Sequence, residues 1–409
     1  MERFIYSQKV ITVLIFIFAF LAYSHVVIPA EETKIGVVES YNNFGIEVFN
    51  KISFNNLNEN IFISPLSISI ALTMTYNGAD GNTGKEMAEV LRLEDIDIDT
   101  LNKLNQKLLE SLNNSGKDVE LAIANSLWAR ENISFNKVFI NRCHHFYNAE
   151  ATTLDFSDPK APYIINGWVS ENTKKMIKEI VSPPINPQTI MFLINAIYFK
   201  ADWFNQFDED QTRKRLFLLP TGKTKSISMM THQSSPYNYY ENEKLQAINI
   251  PYRNTDISMY IFLPSEKSSL SEFIDSLNPE SWHKWMTCFE DKEYVNLNLP
   301  RFKLEYDIKL KETLISLGMV SPFDPSSANF DKMTNETPPL WIDEVKHKTY
   351  LEVNEKGTVA AGATSVEMRM LSVRDYKTME INRPFFICLR DNTSGIILFL
   401  GAIYEPLEI

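Results

Sequence analysis

In the first half of the chain the apolar positions recur at helical spacing. In the second half they alternate or run together, as in strands. Leu101, Leu104, Leu108, Leu109 and Leu112 follow the 3.6-residue period and predict an amphipathic helix. The stretch "LSISIALTMTYNG" predicts another. Ser64 stands before it as an N-cap, Pro65 fits a first turn where no N–H is needed, and Gly78 stops it. Thr83 and Glu86 have the spacing of a capping box ahead of "MAEVL". Residues 165–181, "INGWVSENTKKMIKEIV", predict a further helix. Later, "FLINAIYFK" (192–200) and "DISMYIFLP" (256–264) are short apolar runs of the kind buried on both faces of a sheet. Val295, Leu297 and Leu299 alternate with polar residues, as do Phe302, Leu304 and Tyr306 beyond Pro300, and then Thr349, Leu351 and Val353. "FFICL" and "IILFLGAIY" flank "RDNTSG" and predict a buried hairpin. No repeat, low-complexity tract or Pro/Gly/Ser linker divides the 409 residues, so the pattern predicts one α+β domain over 25–409, sheet-rich towards its end.

The N-terminus adds a targeting signal. Arg3 and Lys9 precede an apolar run, Val10 to Ala22, broken only by Thr12, and Ala22 and Ser24 are small residues suited to a signal peptidase. Residues 1–24 therefore read as a secretory signal peptide, with a retained anchor as the alternative. A secreted, extracellular chain free of the membrane after cleavage is expected. Its candidate glycosylation sites are Asn113, Asn132, Asn335 and Asn392, each in an N-x-S/T sequon. Three cysteines allow at most one intramolecular disulfide, so the core must supply most of the stability. The formal net charge of −12 argues against a nucleic-acid partner. Arg213-Lys214-Arg215, the densest basic patch, reads as a solvated turn.

Catalytic chemistry has no foothold in this sequence. Its six histidines include no HExxH pair, and there is no GxSxG elbow and no paired CxxC. "GADGNTGKE" (78–86) lacks phosphate-loop spacing, and Glu86 stands where a magnesium-binding hydroxyl belongs. His144-His145 lacks a third ligand. No catalytic residue, metal or cofactor is predicted.

One stretch near the end is unusually smooth: "EKGTVAAGATS", residues 355–365. As a strand it would turn Thr358, Ala360, Gly362, Thr364 and Val366 to one side and Val359, Ala361, Ala363, Ser365 and Glu367 to the other. The first face carries neither bulk nor charge and could enter a packed layer without overpacking it. Glycine and alanine nevertheless make a poor isolated strand. The segment reads as a conditional strand, with a flexible surface loop as the plain alternative.

These residues resemble the hinge of the inhibitory serpins, the serine protease inhibitor family. "NIFISPLSISIAL" (60–72) resembles that family's shutter motif, "NAIYFKADWFNQFD" (195–208) its central-sheet and breach motif, and "LPRFKLE" (299–305) and "NRPFFICL…LFLGAIYEP" (382–406) its C-terminal signatures. The resemblance implies an α+β serpin fold with three β-sheets, eight or nine helices and an exposed reactive-centre loop at about 355–378. It implies a suicide-substrate inhibitor: a protease cuts the loop, the freed hinge inserts into the main sheet, and the tethered acyl-enzyme is deformed. Hinge roles fall on Glu355, Gly357, Thr358, Ala360, Ala361, Gly362 and Ala363. Shutter roles fall on Ser64, Ser67, Asn195 and His347, and breach roles on Lys200 and Trp203. Val359 departs from the acidic residue often found in the hinge. Counting fourteen residues from Gly357 puts the reactive bond at Leu371–Ser372, with Met370, Arg369 and Arg374 as alternatives. Leucine implies a chymotrypsin-like or elastase-like target; the arginines would draw a trypsin-like one, and cysteine proteases stay open. A monomer without a cofactor is implied. No heparin-type basic helix is evident, so glycosaminoglycan activation is not expected. The alternative is a non-inhibitory member acting as a binding, carrier or chaperone protein.

Overall fold

The computed structural model describes residues 30–114, 116, 118–289, 292–334, 340–358 and 376–409. The chain divides into Met1–Gly36, described only where helix α1 (Ala30–Asn55) begins, and Val37–Ile409, which holds everything that follows. The predicted signal segment lies outside the described residues.

Two hydrogen-bonded sheets build the second unit. The first runs β10 (Phe302–Lys309), β11 (Glu344–Val353), β12 (Gly357–Thr358), β4 (Met191–Asp202), β2 (Val119–Arg130), β3 (Glu150–Leu154). The second runs β1 (Ile61–Ile63), β15 (Ile397–Ile403), β14 (Phe385–Asp391), β8 (Ile257–Pro264), β7 (Leu245–Pro251), β6 (Thr224–Glu241), β9 (Lys292–Pro300), β13 (Lys377–Glu380), with β5 (Arg213–Leu218) also on β6. Nine α-helices are present among the described residues. The α+β architecture expected from the sequence is thus present among the described residues. The expected third sheet is merged into the second, because the 18-residue β6 pairs with β5 and β9 along one part and with β7 at its end.

Helix α2 (Pro65–Tyr76) is buried over Pro65–Thr75, which explains why its sequence is apolar all round rather than on one stripe. Helix α4 (Ile98–Asn113) instead shows the amphipathic pattern and buries Leu101, Leu108 and Leu112. The terminal hairpin forms as read, β14 pairing antiparallel with β15, and every residue of β15 is buried. Helix α6 (Ala161–Asn172) packs Ile165 and Val169 on the outer face of the first sheet, against Trp128, Phe192 and Ile194.

Three local expectations need correction. The helix foreseen over 165–181 stops at Asn172. Thr173 Oγ1 donates to the Val169 carbonyl and accepts from Ile177 N, and Lys174 and Lys175 take left-handed φ of 54° and 66°. Thr83 and Glu86 form no capping box, because helix α3 (Gly81–Leu91) starts earlier, behind Asp80. Thr83 Oγ1 accepts from Asn329 N at 2.9 Å, and Glu86 accepts from Val320 N at 2.8 Å and Ser321 N at 2.6 Å, tying two distant segments to α3. Arg213-Lys214-Arg215 lies in strand β5 rather than a turn; positive charge there suits a strand with one neighbour. Cys143, Cys288 and Cys388 are all free thiols.

Candidate functional site: the hinge, its slot and the clasp beneath

Strands β4 and β11 run parallel and pair directly from Phe192 opposite Glu344 to Tyr198 opposite Tyr350. Beyond Tyr350 they part, and β12 fills the gap. Thr358 lies opposite Val353 of β11 on one side and Ala201 of β4 on the other, antiparallel to both. A tight turn makes this local: Asn354 N donates to the Gly357 carbonyl at 2.9 Å, and Asn354 Oδ1 accepts from Lys356 N at 3.1 Å. Glycine is required at 357, since a Cβ there would come within 2.2 Å of the Ala201 carbonyl oxygen and 2.6 Å of Asp202 Cα.

A strap following β4 grips this turn by three consecutive carbonyls. Trp203 Nε1 donates to Asn354 O at 2.9 Å, Phe207 N to Glu355 O at 2.7 Å and Trp203 N to Lys356 O at 2.9 Å. The Trp203 indole is fully buried and stacks on Tyr252, with centroids 4.5 Å apart and planes 11° apart. The Tyr252 hydroxyl lies 2.8 Å from Thr358 Oγ1, and burial holds that phenol well above its ordinary pKa. Thr358 is therefore buried against the core. Glu355 is buried too. Its carboxylate accepts from Thr212 Oγ1 at 2.7 Å and lies 3.6 Å from Arg301 Nη1. Lys200 does not join this cluster: it points to the other face of β4 and meets Glu120 of β2 at 3.7 Å.

Beneath the slot, side chains clasp β4 to β11. His347 and Asn195 are register partners in the parallel pair. Ser64 N donates to His347 Nε2 at 3.0 Å, so Nδ1 carries the ring proton and donates to Asn195 Oδ1. Asn195 Nδ2 in turn reaches the Ser67 carbonyl at 3.0 Å, and also Ser67 Oγ and Asn125 Oδ1. Ser64 Oγ caps α2 by accepting from Ser67 N at 3.2 Å. Burial alone lowers the His347 pKa to about 3, so the ring is neutral. Asn125 was not singled out from the sequence. It sits opposite Asn195 in the β2–β4 pairing, and its signal was a lone amide in a strand whose neighbours become apolar.

Hinge positions Ala360, Ala361, Gly362 and Ala363 lie outside the described residues, as do Leu371, Ser372, Met370, Arg369 and Arg374. So does Asn335. Asn113 and Asn132 are exposed. Asn392 is exposed as well, but its amide nitrogen, the atom a glycan would take, donates to Ser258 Oγ at 2.9 Å. Among the described residues no cluster of histidine, cysteine and carboxylate side chains could hold a metal, and no helix is long and apolar enough to cross a membrane.

A profile of the family described as Serpin (serine protease inhibitor) matches residues 39–406. Serpin B6 of Macaca fascicularis is 34% identical over 376 residues, covering 90% of this chain and 99% of the relative. The leukocyte elastase inhibitor of Xenopus tropicalis is 34% identical over 377 residues, covering 89% and 97%. The crystal structure of native protease nexin-1 with heparin superimposes with a TM-score of 0.84 at 31% identity, covering 91% of this chain and all of that one. The thyroxine-binding globulin complex with thyroxine does so with a TM-score of 0.82 at 28% identity, covering 91% and 99%. With sheet, hinge and family profile in agreement over most of its length, the chain belongs to the serpins, a family of protease inhibitors.

Proposed function

We propose that this chain inhibits a serine protease by inserting the hinge side of its cleaved loop, residues 359–371, between β4 and β11. One observation carries the reading. The hinge already occupies the top of the sheet as β12, while the strands below it pair across a seam held by Asn195 and His347. Propagating β12 downwards would replace one set of β4–β11 bonds by two, on the order of 1 kcal/mol net for each bond gained. The uncharged inward face of Thr358, Ala360, Gly362 and Thr364 lets the strand enter without burying a charge.

Leu371–Ser372 is the proposed reactive bond, and a chymotrypsin-like or elastase-like enzyme the proposed target. The likeness to a leukocyte elastase inhibitor agrees with that assignment. Secretion behind a cleaved segment 1–24 and a monomeric state complete the proposal. The test is to mix the mature chain with chymotrypsin, elastase and trypsin separately. A denaturant-resistant complex is expected, with release of a peptide beginning at Ser372. Clean cleavage by every enzyme without a complex would reject inhibition. That outcome would favour the second reading, a binding or carrier role, for which the likeness to thyroxine-binding globulin speaks.

A further inference from the structure

The strap that grips the hinge is itself held from behind, by the second sheet. On β6, His232 lies flat against Phe207, with ring centroids 3.9 Å apart and planes 9° apart. Its Nε2 is 2.9 Å from the Gln206 carbonyl oxygen, an acceptor, so Nε2 carries the proton. Nδ1 then accepts the Tyr237 hydroxyl. The imidazole is buried, and so is Tyr237.

Strand alternation would put residues 232 and 237, five apart, on opposite faces. A bulge prevents this. Three steps on β6, His232 to Ser235, oppose two on β9, Leu297 to Val295. Ser234 takes φ 51°, and its N–H donates to Asn296 Oδ1 at 3.0 Å. The extra residue turns Tyr237 back to the face of His232. Bulges of this kind re-aim side chains beside functional sites.

We infer that His232 is a positioning residue for the hinge, with the bulge and Tyr237 as its support. It fixes Gln206 and Phe207 so that the Phe207 N–H meets the Glu355 carbonyl, 2.7 Å away. The inference rests on the inhibitory reading. Trapping is a race between strand insertion and deacylation, and insertion starts at β12. A hinge turn that wanders starts the race late. Loosening the strap diverts cleaved molecules to plain hydrolysis, yet leaves the attack of the protease on the loop unchanged.

The experiment uses the full mature chain and chymotrypsin. It compares wild type with His232→Ala, with His232→Phe, which keeps the stack and loses both ring hydrogen bonds, and with Tyr237→Phe, which removes one hydroxyl. The readouts are inhibitor consumed per enzyme trapped and the association rate. His232→Ala is expected to raise consumption about fivefold to tenfold, and His232→Phe and Tyr237→Phe about twofold to threefold. Association rates corrected for consumption should stay within about twofold. A purely structural role would lower the melting temperature and leave consumption alone; wild-type consumption in the folded variants overturns the inference. Should His232→Ala not fold, the two milder variants decide. If wild type traps none of chymotrypsin, elastase and trypsin, the inhibitory reading fails, and amide exchange at Phe207 then judges the positioning claim. Exchange about tenfold faster in the His232 variants supports it, and unchanged exchange overturns it.

Discussion

Two side chains set opposite conditions on the slot. Thr358 must be buried for β12 to exist, and its hydroxyl answers a buried Tyr252 phenol. Thr358→Arg would bury an unpaired guanidinium against Tyr252, a cost of several kcal/mol. The expected result is a chain cleaved at its usual rate that forms covalent complex at no more than about a tenth of the wild-type yield, read on a denaturing gel. His347 sets the second condition through pH. Unfolded histidine titrates near 6.5, whereas this ring is held to about 3. Below pH 6.5 the unfolded chain takes up a proton that the folded chain refuses, so stability falls as pH falls, by about 1.4 kcal/mol per pH unit until about pH 3. Between pH 7.5 and pH 5 that amounts to about 2 kcal/mol. His347→Gln removes this increment, and denaturant midpoints of both proteins at the two pH values measure it. Equal losses would mean that another group governs the acid limb.

At the scale of elements, the hinge turn and the seam below it share β4 but are held by separate contacts. Gly357→Ala places a methyl against the backbone of Ala201 and Asp202, where no side chain can yield. β12 should leave the sheet, freeing the Trp203 and Phe207 amides that now bond to Lys356 and Glu355. Amide exchange at those two positions is expected to rise at least tenfold, while exchange over the β4–β11 pairing stays near wild type. Much of this arrangement was legible beforehand because period and composition carry it. Alternation gave β9, β10 and β11, and of the conditional strand read over 355–365 the described residues include Gly357 and Thr358, paired as β12. What was not legible depended on long-range hydrogen bonds. Thr83 and Glu86 had the spacing of a cap but serve Asn329, Val320 and Ser321, far along the chain. Lys200 has a sequence neighbour's claim on the breach, yet strand alternation sends it to the opposite face from Trp203. The bulge that places His232 leaves no mark that a period-two reading could detect.

For the whole molecule, the direct pairing of β4 with β11 below β12 means that a strand added to this sheet has to open the seam between them. Among the described residues, Gly357 and Thr358 are paired as β12. On the proposed mechanism, cutting the loop would release one end, and a strand of on the order of 10 further residues would then bond to both neighbours. At about 1 kcal/mol net per added bond, the gain is on the order of 10 kcal/mol. That is comparable with the entire stability of an ordinary domain, so the change is one of state rather than of degree. For a unit of this size it corresponds to a rise in unfolding temperature of roughly 10–15 °C. Calorimetry of the intact chain and of the chain cut once within 359–375, with both fragments retained, measures it. A large upward shift is expected for the wild type and should be nearly lost in Thr358→Arg, whose first inserting residue cannot be buried. A cut chain that melts with the intact one would mean that the sheet does not take up the loop, and a binding role would then account better for the same fold.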